Sequence, residues 1–136
     1  MTTRPETKKS SPVIESRDQL VASFARGEKA PDRWRIGTEH EKFVYADSDH
    51  HAPSYTEKGG IRDLLDALTA FGWEPVLEGG NVIALNGTDG SISLEPAGQF
   101  ELSGAPLENL HQTCAETGRH LQQIKTIGEI GRAACR

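Results

Sequence analysis

The 136 residues predict an α+β fold, an antiparallel sheet with helices packed on one of its faces. Three observations carry that expectation. Residues 82–85, 91–94 and 99–103 read as short strands joined only by Asn86-Gly87 and its glycine-rich loop and by Pro96-Ala97-Gly98, and strands joined by tight turns pair antiparallel. Helical periodicity appears before and after this block but never between its strands, which disfavours a doubly wound parallel sheet. Finally, 35% apolar and 6% aromatic residues suffice for one modest core and not for two.

Residues 1–13 (MTTRPETKKSSPV) hold two prolines and no apolar period, and are expected to form a disordered tail before a domain covering 14–136. Ser16 and Gln19 offer a capping box for a short first helix carrying Leu20, Val21 and Phe24, with Gly27 as its stop. Residues 34–45 (WRIGTEHEKFVY) are rich in β-branched and aromatic side chains and predict the first strand. After Gly59-Gly60, the residues Ile61, Leu64, Leu65, Leu68 and Phe71 mark the apolar face of a second helix, closed by Gly72. Gly79-Gly80-Asn81 reads as a tight turn, or as a place where backbone approaches a ligand. From Pro106 a long helix is expected, with Leu107, Leu110, Cys114, Leu121 and Ile124 on its buried stripe. No internal repeat is visible.

Fifteen Lys+Arg against twenty Asp+Glu leave a net charge of -5. With no basic cluster beyond Lys8-Lys9, a nucleic-acid footprint is not expected, and no apolar run approaches the roughly 20 residues of a membrane span. Two cysteines, no C-x-x-C and no apolar signal core predict free thiols in a reducing, cytoplasmic setting. Neither a G-x-x-x-x-G-K-[ST] loop nor a G-x-G-x-x-G after a strand is present, so any nucleotide is held by other means.

The chemistry-bearing residues are carboxylates. Glu39 and Glu41 are two apart in the first strand, so the pleat sends both to one face. In the last strand Gln99, Glu101 and Ser103 share a face while Phe100 and Leu102 take the other, and Glu95 stands just before the Pro96 turn. Glu has poor β propensity and like charges on neighbouring same-face positions repel, which a divalent cation would relieve. If the strands lie side by side, Glu39, Glu41, Glu95 and Glu101 form a hard-oxygen cluster of the kind magnesium takes. The residues alone leave a second reading open, solvated carboxylates on the wet side of a sheet. Asp47, Asp49, His50 and His51 sit in a polar loop and read as a solvated turn. His40-Glu41 fails the H-E-x-x-H pattern because Val44 stands where the second histidine belongs. His111 and His120 read as surface or packing residues, and Cys114 as a buried, inert thiol.

The run from Ile36 to Phe43 (IGTEHEKF), Gly72-Trp73 followed by Glu78-Gly79-Gly80-Asn81, and SISLEPAGQFELSGAPLENLHQTCAE from Ser91 to Glu116 resemble glutamate-cysteine ligase of the plant and bacterial branch. The resemblance implies a fold like the catalytic part of glutamine synthetase, whose sheet carboxylates hold magnesium between ATP and glutamate. On that footing Glu39, Glu41 and Glu101 correspond to catalytic magnesium ligands, with Glu95 as a fourth acidic group of the metal site. The implied reaction is ATP-dependent: the γ-carboxylate of glutamate attacks the terminal phosphoryl group, and the amine of cysteine captures the γ-glutamyl phosphate. Another carboxylate–amine ligase of the same superfamily, or a non-catalytic metal- or partner-binding remnant, are the competing expectations. Because such enzymes run to several hundred residues and supply most anion-binding groups from later segments, the resemblance implies an N-terminal part, inactive and weakly stable alone. In such a part the last strand is expected to leave an unpaired edge, and the long helix an uncovered apolar stripe.

Overall fold

The computed structural model describes residues 13–131 and 133–135. These divide after Trp34 into two compact units, a later division than the sequence suggested. The tail expected over 1–13 lies, but for Val13, outside the described residues.

The first unit holds α1 (Arg17–Ala25), capped by Ser16, whose hydroxyl accepts the Gln19 N–H at 3.2 Å. The return arm of the box is displaced by one residue: the Gln19 side chain accepts the Glu15 N–H at 2.7 Å rather than that of Ser16. A single 3-10 turn, Pro31–Arg33, follows, and the Trp34 indole N–H donates to the Lys29 carbonyl at 2.8 Å. No residue of α1 is buried; Leu20, Val21 and Phe24 all face out.

The second unit is α+β. Its sheet has five antiparallel strands in the order β1-β6-β5-β4-β3: β1 (Glu39–Lys42), β3 (Glu74–Glu78), β4 (Asn81–Asn86), β5 (Ser91–Glu95) and β6 (Gln99–Ser103). A separate antiparallel pair joins β2 (Val44–Ala46) to β7 (Ala133–Cys135). The expected strand over 34–45 is therefore broken. Phe43 interrupts it, and before Glu39 there is no strand: Ile36 bridges Leu107 through two backbone hydrogen bonds of 2.7 and 2.8 Å, and the Thr38 carbonyl accepts the Gly104 N–H at 2.7 Å. Strand β3 had no counterpart in the sequence reading, because Pro75 argues against a strand; as an edge strand it tolerates a residue without an N–H. Gly79 and Gly80, at φ 56° and 83°, make the β3–β4 turn and relieve any need for a ligand to explain them. Strand β6 has neighbours on both sides, so the unpaired edge expected there is not found; β1 and β3 are the sheet edges.

Helices α2 (Ile61–Leu68) and α3 (Leu110–Gly131) supply the other layer. Ile61, Leu64, Leu65 and Leu68 are buried as their spacing predicts, burial worth ~1.5–3 kcal/mol for each side chain. Phe71 is not: the chain tightens into a 3-10 turn over Thr69–Phe71 before Gly72 at φ 89°, which turns the ring out of the stripe to 42% exposure. The α2 face joins Val82, Leu85, Ile92, Phe100, Leu102, Ile124 and Ile127 in one core.

Helix α3 departs most from expectation. It begins at Leu110 rather than near Pro106 because Asn109 caps it, accepting the Gln112 N–H at 3.1 Å, while the Gln112 side chain reaches back to the Glu108 N–H at 2.8 Å. Leu110 and Leu121 are exposed, and so is Cys114, the thiol expected to be buried. The buried face is instead Thr113, His120, Ile124 and Ile127, a stripe that hydrophobicity alone does not reveal because half of it is polar. Among the described residues thirteen large hydrophobic side chains are exposed against twelve in the core, so much apolar surface stays wet. The Cys135 side chain lies outside the described residues. Both thiols are expected to react in a titration of denatured, unreduced protein, since an exposed Cys114 has no disulfide; finding neither would reverse this.

Candidate functional site: a carboxylate face on the sheet

The register brings the acidic residues together. Glu41 stands directly opposite Glu101 across β1 and β6, with Glu39 opposite Ser103 two residues on. Across β6 and β5, Ser93 faces Glu101 and Glu95 faces Gln99. Alternation along each strand then puts Glu39, Glu41, Glu95, Glu101, Ser93 and Ser103 on one face, while Phe100 and Leu102 point into the core. Glu101 is held most firmly: it is 8% exposed and its Oε1 accepts the Ser103 hydroxyl at 2.8 Å.

The electrostatics match this arrangement. The Glu101 carboxylate beside it is the chief reason the Glu95 carboxyl titrates above its ordinary value; desolvation, a carboxyl–carboxyl hydrogen bond with Glu101 and the charges of Glu41 and Glu39 add to the rise. A carboxyl raised on folding favours its protonated form in the native state. Stability is therefore lost as pH rises from the ordinary carboxylate value through the raised one. Among the described residues no salt bridge reaches any of the four glutamates. Nor do any three His, Cys, Asp or Glu side chains, among those residues, stand close enough to hold a metal ion as they lie. The face is thus an array of like-charged hard oxygens shared by three strands, with no salt-bridged counter-charge among the described residues.

The other face of β1 is equally unusual. Lys42 is 2% exposed and its Nζ donates to the His40 carbonyl at 2.8 Å. His120 of α3 is also 2% exposed, stacked on Phe100 at a centroid distance of 6.3 Å and edge-on to His40 at 6.4 Å. Burial, then the charge of Lys42, then His40, holds the His120 imidazole down to about 3, so it is neutral at ordinary pH. Sequence reasoning did not single out Lys42 and left His120 between surface and packing, of which packing holds. The signal was the polar run Thr113, Glu116, His120 and Gln123 at helical spacing.

The Asp/His loop is a closed salt clasp. His51 engages Asp49 through Nδ1 at 2.6 Å and Glu57 through Nε2 at 2.8 Å. Those hydrogen bonds, Asp49 first, raise His51 and lower both carboxyls. With both ring nitrogens taken, the loop is a turn staple. All three groups are solvent-exposed, so it contributes little to stability. No helix among the described residues is long and apolar enough to cross a membrane.

A family model described as Glutamate-cysteine ligase family 2 matches residues 35–134. The chain belongs to glutamate-cysteine ligase family 2. It is 50% identical over 115 residues, 84% of its length, to "Glutamate--cysteine ligase, chloroplastic" of Nicotiana tabacum and to the protein of the same name in Arabidopsis thaliana, covering 22% of each. "Glutamate--cysteine ligase A, chloroplastic" of Oryza sativa subsp. japonica is 50% identical over the same length, with 23% of it covered. This family 2 chain therefore spans about a fifth of the length of the curated relatives it matches. Their names also overturn the cytoplasmic expectation, since these relatives are named chloroplastic. The correction has a simple cause, since free thiols and a polar N-terminus suit any reducing compartment and do not select the cytosol. The glycine-rich turn at Gly87–Gly90 is sterically enforced: a Cβ on Gly87 would lie 2.7 Å from the Trp73 ring and one on Gly90 2.7 Å from the Ser103 carbonyl.

Proposed function

We propose that this segment supplies the magnesium-binding strands of a ligase that joins the γ-carboxylate of L-glutamate to the amine of L-cysteine at the expense of ATP, the first step of glutathione synthesis. The observation that carries the reading is the Glu41–Glu101 cross-strand pair, flanked by Glu39 and Glu95, in a chain whose relatives are named for this ligation. Four carboxylates with no salt bridge among the described residues suit a hard divalent cation better than they suit one another. Magnesium on this face would neutralise phosphate charge during phosphoryl transfer. The chain's own part is to fix the oxygens. Glu101 is clamped by Ser103 in the middle of the sheet, whereas Glu39 and Glu41 stand on the edge strand, where their side chains can adjust to an ion and to phosphate oxygens together.

Two measurements test this. The first follows phosphate release in the presence of ATP, glutamate and cysteine. A polypeptide of the relatives' full length carrying this segment is expected to release phosphate only when glutamate is present, and the 136 residues alone to release none. Glutamate-dependent release by the 136 residues would show that they suffice by themselves, and its absence from the longer protein would leave a non-catalytic remnant. The second is thermal melting with and without magnesium. Magnesium at ten times its Kd is expected to stabilise the protein by about 1.4 kcal/mol, an effect abolished by changing Glu41 and Glu101 together to glutamine. An equal shift in that variant would remove the metal from this face.

A further inference from the structure

Between β2 and α2 the chain forms neither strand nor helix, and among the described residues its salt bridges meet on one imidazole. Two short turns make up this connection. The first is tied to the end of β2: the Ala46 and His50 N–H groups donate to the His51 and Ala46 carbonyls, each at 2.9 Å, and the His51 N–H donates to Asp49 Oδ1 at 3.2 Å. The second is tied to α2 and the main sheet. There the Ser54 N–H donates to Glu57 Oε2 at 3.1 Å, the Arg62 N–H to the Tyr55 carbonyl at 3.1 Å, and the Tyr55 hydroxyl to the Val82 carbonyl of β4 at 2.8 Å. The His51 ring joins the two turns, with Nδ1 2.6 Å from Asp49 Oδ1 and Nε2 2.8 Å from Glu57 Oε1.

We propose that this clasp is a pH-sensitive latch: it ties the turn after β2 to the segment entering α2 while His51 is an imidazolium, and it releases the Glu57 arm when the ring is neutral. The geometry requires the charge. An ionised carboxylate only accepts hydrogen bonds and a neutral imidazole donates from one nitrogen alone, so both short contacts are hydrogen bonds only when both ring nitrogens carry protons. Once one proton is lost, a ring lone pair faces a carboxylate oxygen, and that contact is repulsive. The Nε2 proton is the one that leaves, passing to water. Asp49 is two residues from His51 and the His51 backbone N–H holds the same Oδ1 in place, whereas Glu57 is six residues away and keeps the Ser54 N–H through its other oxygen. Releasing the Glu57 arm therefore parts the two turns and leaves each intact.

The charged groups that act on His51 are Asp49 and Glu57, and their hydrogen bonds raise the imidazole above the ordinary histidine value. The neighbouring His50 ring packs instead on Tyr45, at 5.5 Å between centroids. Asp49 and Glu57 are both lowered, by the hydrogen bond from His51 first. The latch is thus closed across a window bounded below by the lowered carboxyls and above by the raised imidazole, and it opens on the alkaline side. Since all three groups are solvent-exposed, it governs the local order of the connection and not the stability of the fold. It depends on no part of the ligase reading.

The test is an NMR pH titration of the isotope-labelled 136-residue chain, with the signals of α2 reporting that the fold is intact. His51 is expected to titrate above the ordinary histidine value, keeping its Nδ1 proton and losing that on Nε2. Through the same titration the backbone order parameters of residues 47–53 are expected to fall from about 0.85 to below about 0.6. Glu57→Gln decides the cause, because its amide N–H donates to a neutral Nε2. That variant is expected to bring His51 back toward the ordinary value and to keep the connection ordered on the alkaline side, whereas Glu57→Ala leaves it mobile at every pH. Glu57 is 40% exposed, so neither substitution disturbs the core. The latch is overturned if His51 titrates at or below the ordinary value, if its neutral ring keeps the proton on Nε2, or if the order parameters stay constant or fall equally in Glu57→Gln.

Discussion

Glu101→Gln, placed in a ligase of the relatives' full length, is expected to cut turnover on the order of 10²-fold while leaving the fold intact or slightly firmer. The two halves of that expectation have one cause. Glu101 is buried opposite Glu41 and drives the rise in Glu95, so its negative charge is unfavourable for folding. Like charges directly opposite in an antiparallel pair cost ~0.2–1 kcal/mol, and an isosteric amide removes that cost while keeping an oxygen for the Ser103 hydroxyl. If the charge is retained to bind magnesium, its removal must damage turnover, most severely at limiting metal. A structural glutamate would behave in the opposite way, losing stability and sparing activity. Steady-state kinetics across a magnesium series, with thermal melts of the same samples, separates the cases. Unchanged turnover at limiting magnesium would refute the assigned role.

What could be read from sequence followed the period of the side chains. Period-2 alternation in 99–103 separated the face of Phe100 and Leu102 from that of Glu101, because a pleat leaves no other choice once one face is apolar, although Glu101 is itself buried. The α2 stripe was legible for the same reason at period 3.6. Where the buried face was itself polar the reading failed. Leu110, Cys114 and Leu121 make a tidy apolar stripe on α3, yet the chain turns Thr113 and His120 inward. The inward set is decided by the Asn109 cap, which fixes where the helix starts, and by His120 stacking on Phe100. Neither is a property of hydrophobic spacing. Strand β3 was hidden by Pro75, whose penalty vanishes at an edge, and edge position is a consequence of topology. The carboxylate face was legible as a set of residues. That Glu41 meets Glu101 rather than a neighbour one step away depends on register, which the sequence constrains only through the buried partners Lys42 and Phe100.

Phe100→Ala is expected to have the largest effect on stability, about 3–5 kcal/mol. Phe100 is fully buried in β6, packed into the core and against the His120 ring, with ring planes only 12° apart. Its loss leaves a cavity bounded by paired strands and a helix, which cannot collapse cheaply. Against the ~5–15 kcal/mol that holds a domain of this size, the change removes much of the margin. A second signature distinguishes this from a generic core lesion. His120 is kept neutral mainly by burial, so in the native protein it resists protonation until pH falls to about 3, while an unfolded chain protonates it near 6.5. The unfolded state thus binds more protons across that window, and stability falls as pH drops from about 6.5 toward about 3. Water entering the space left by Phe100 would raise the His120 value and narrow the window. Denaturant melts at a series of pH values should therefore show Phe100→Ala far less stable at neutral pH, with a shallower further loss on acidification. Leu65→Ala, equally buried but on α2, is expected to lose comparable stability and keep the full acid slope. Parallel acid slopes in the two variants would mean that Phe100 does not shield the imidazole.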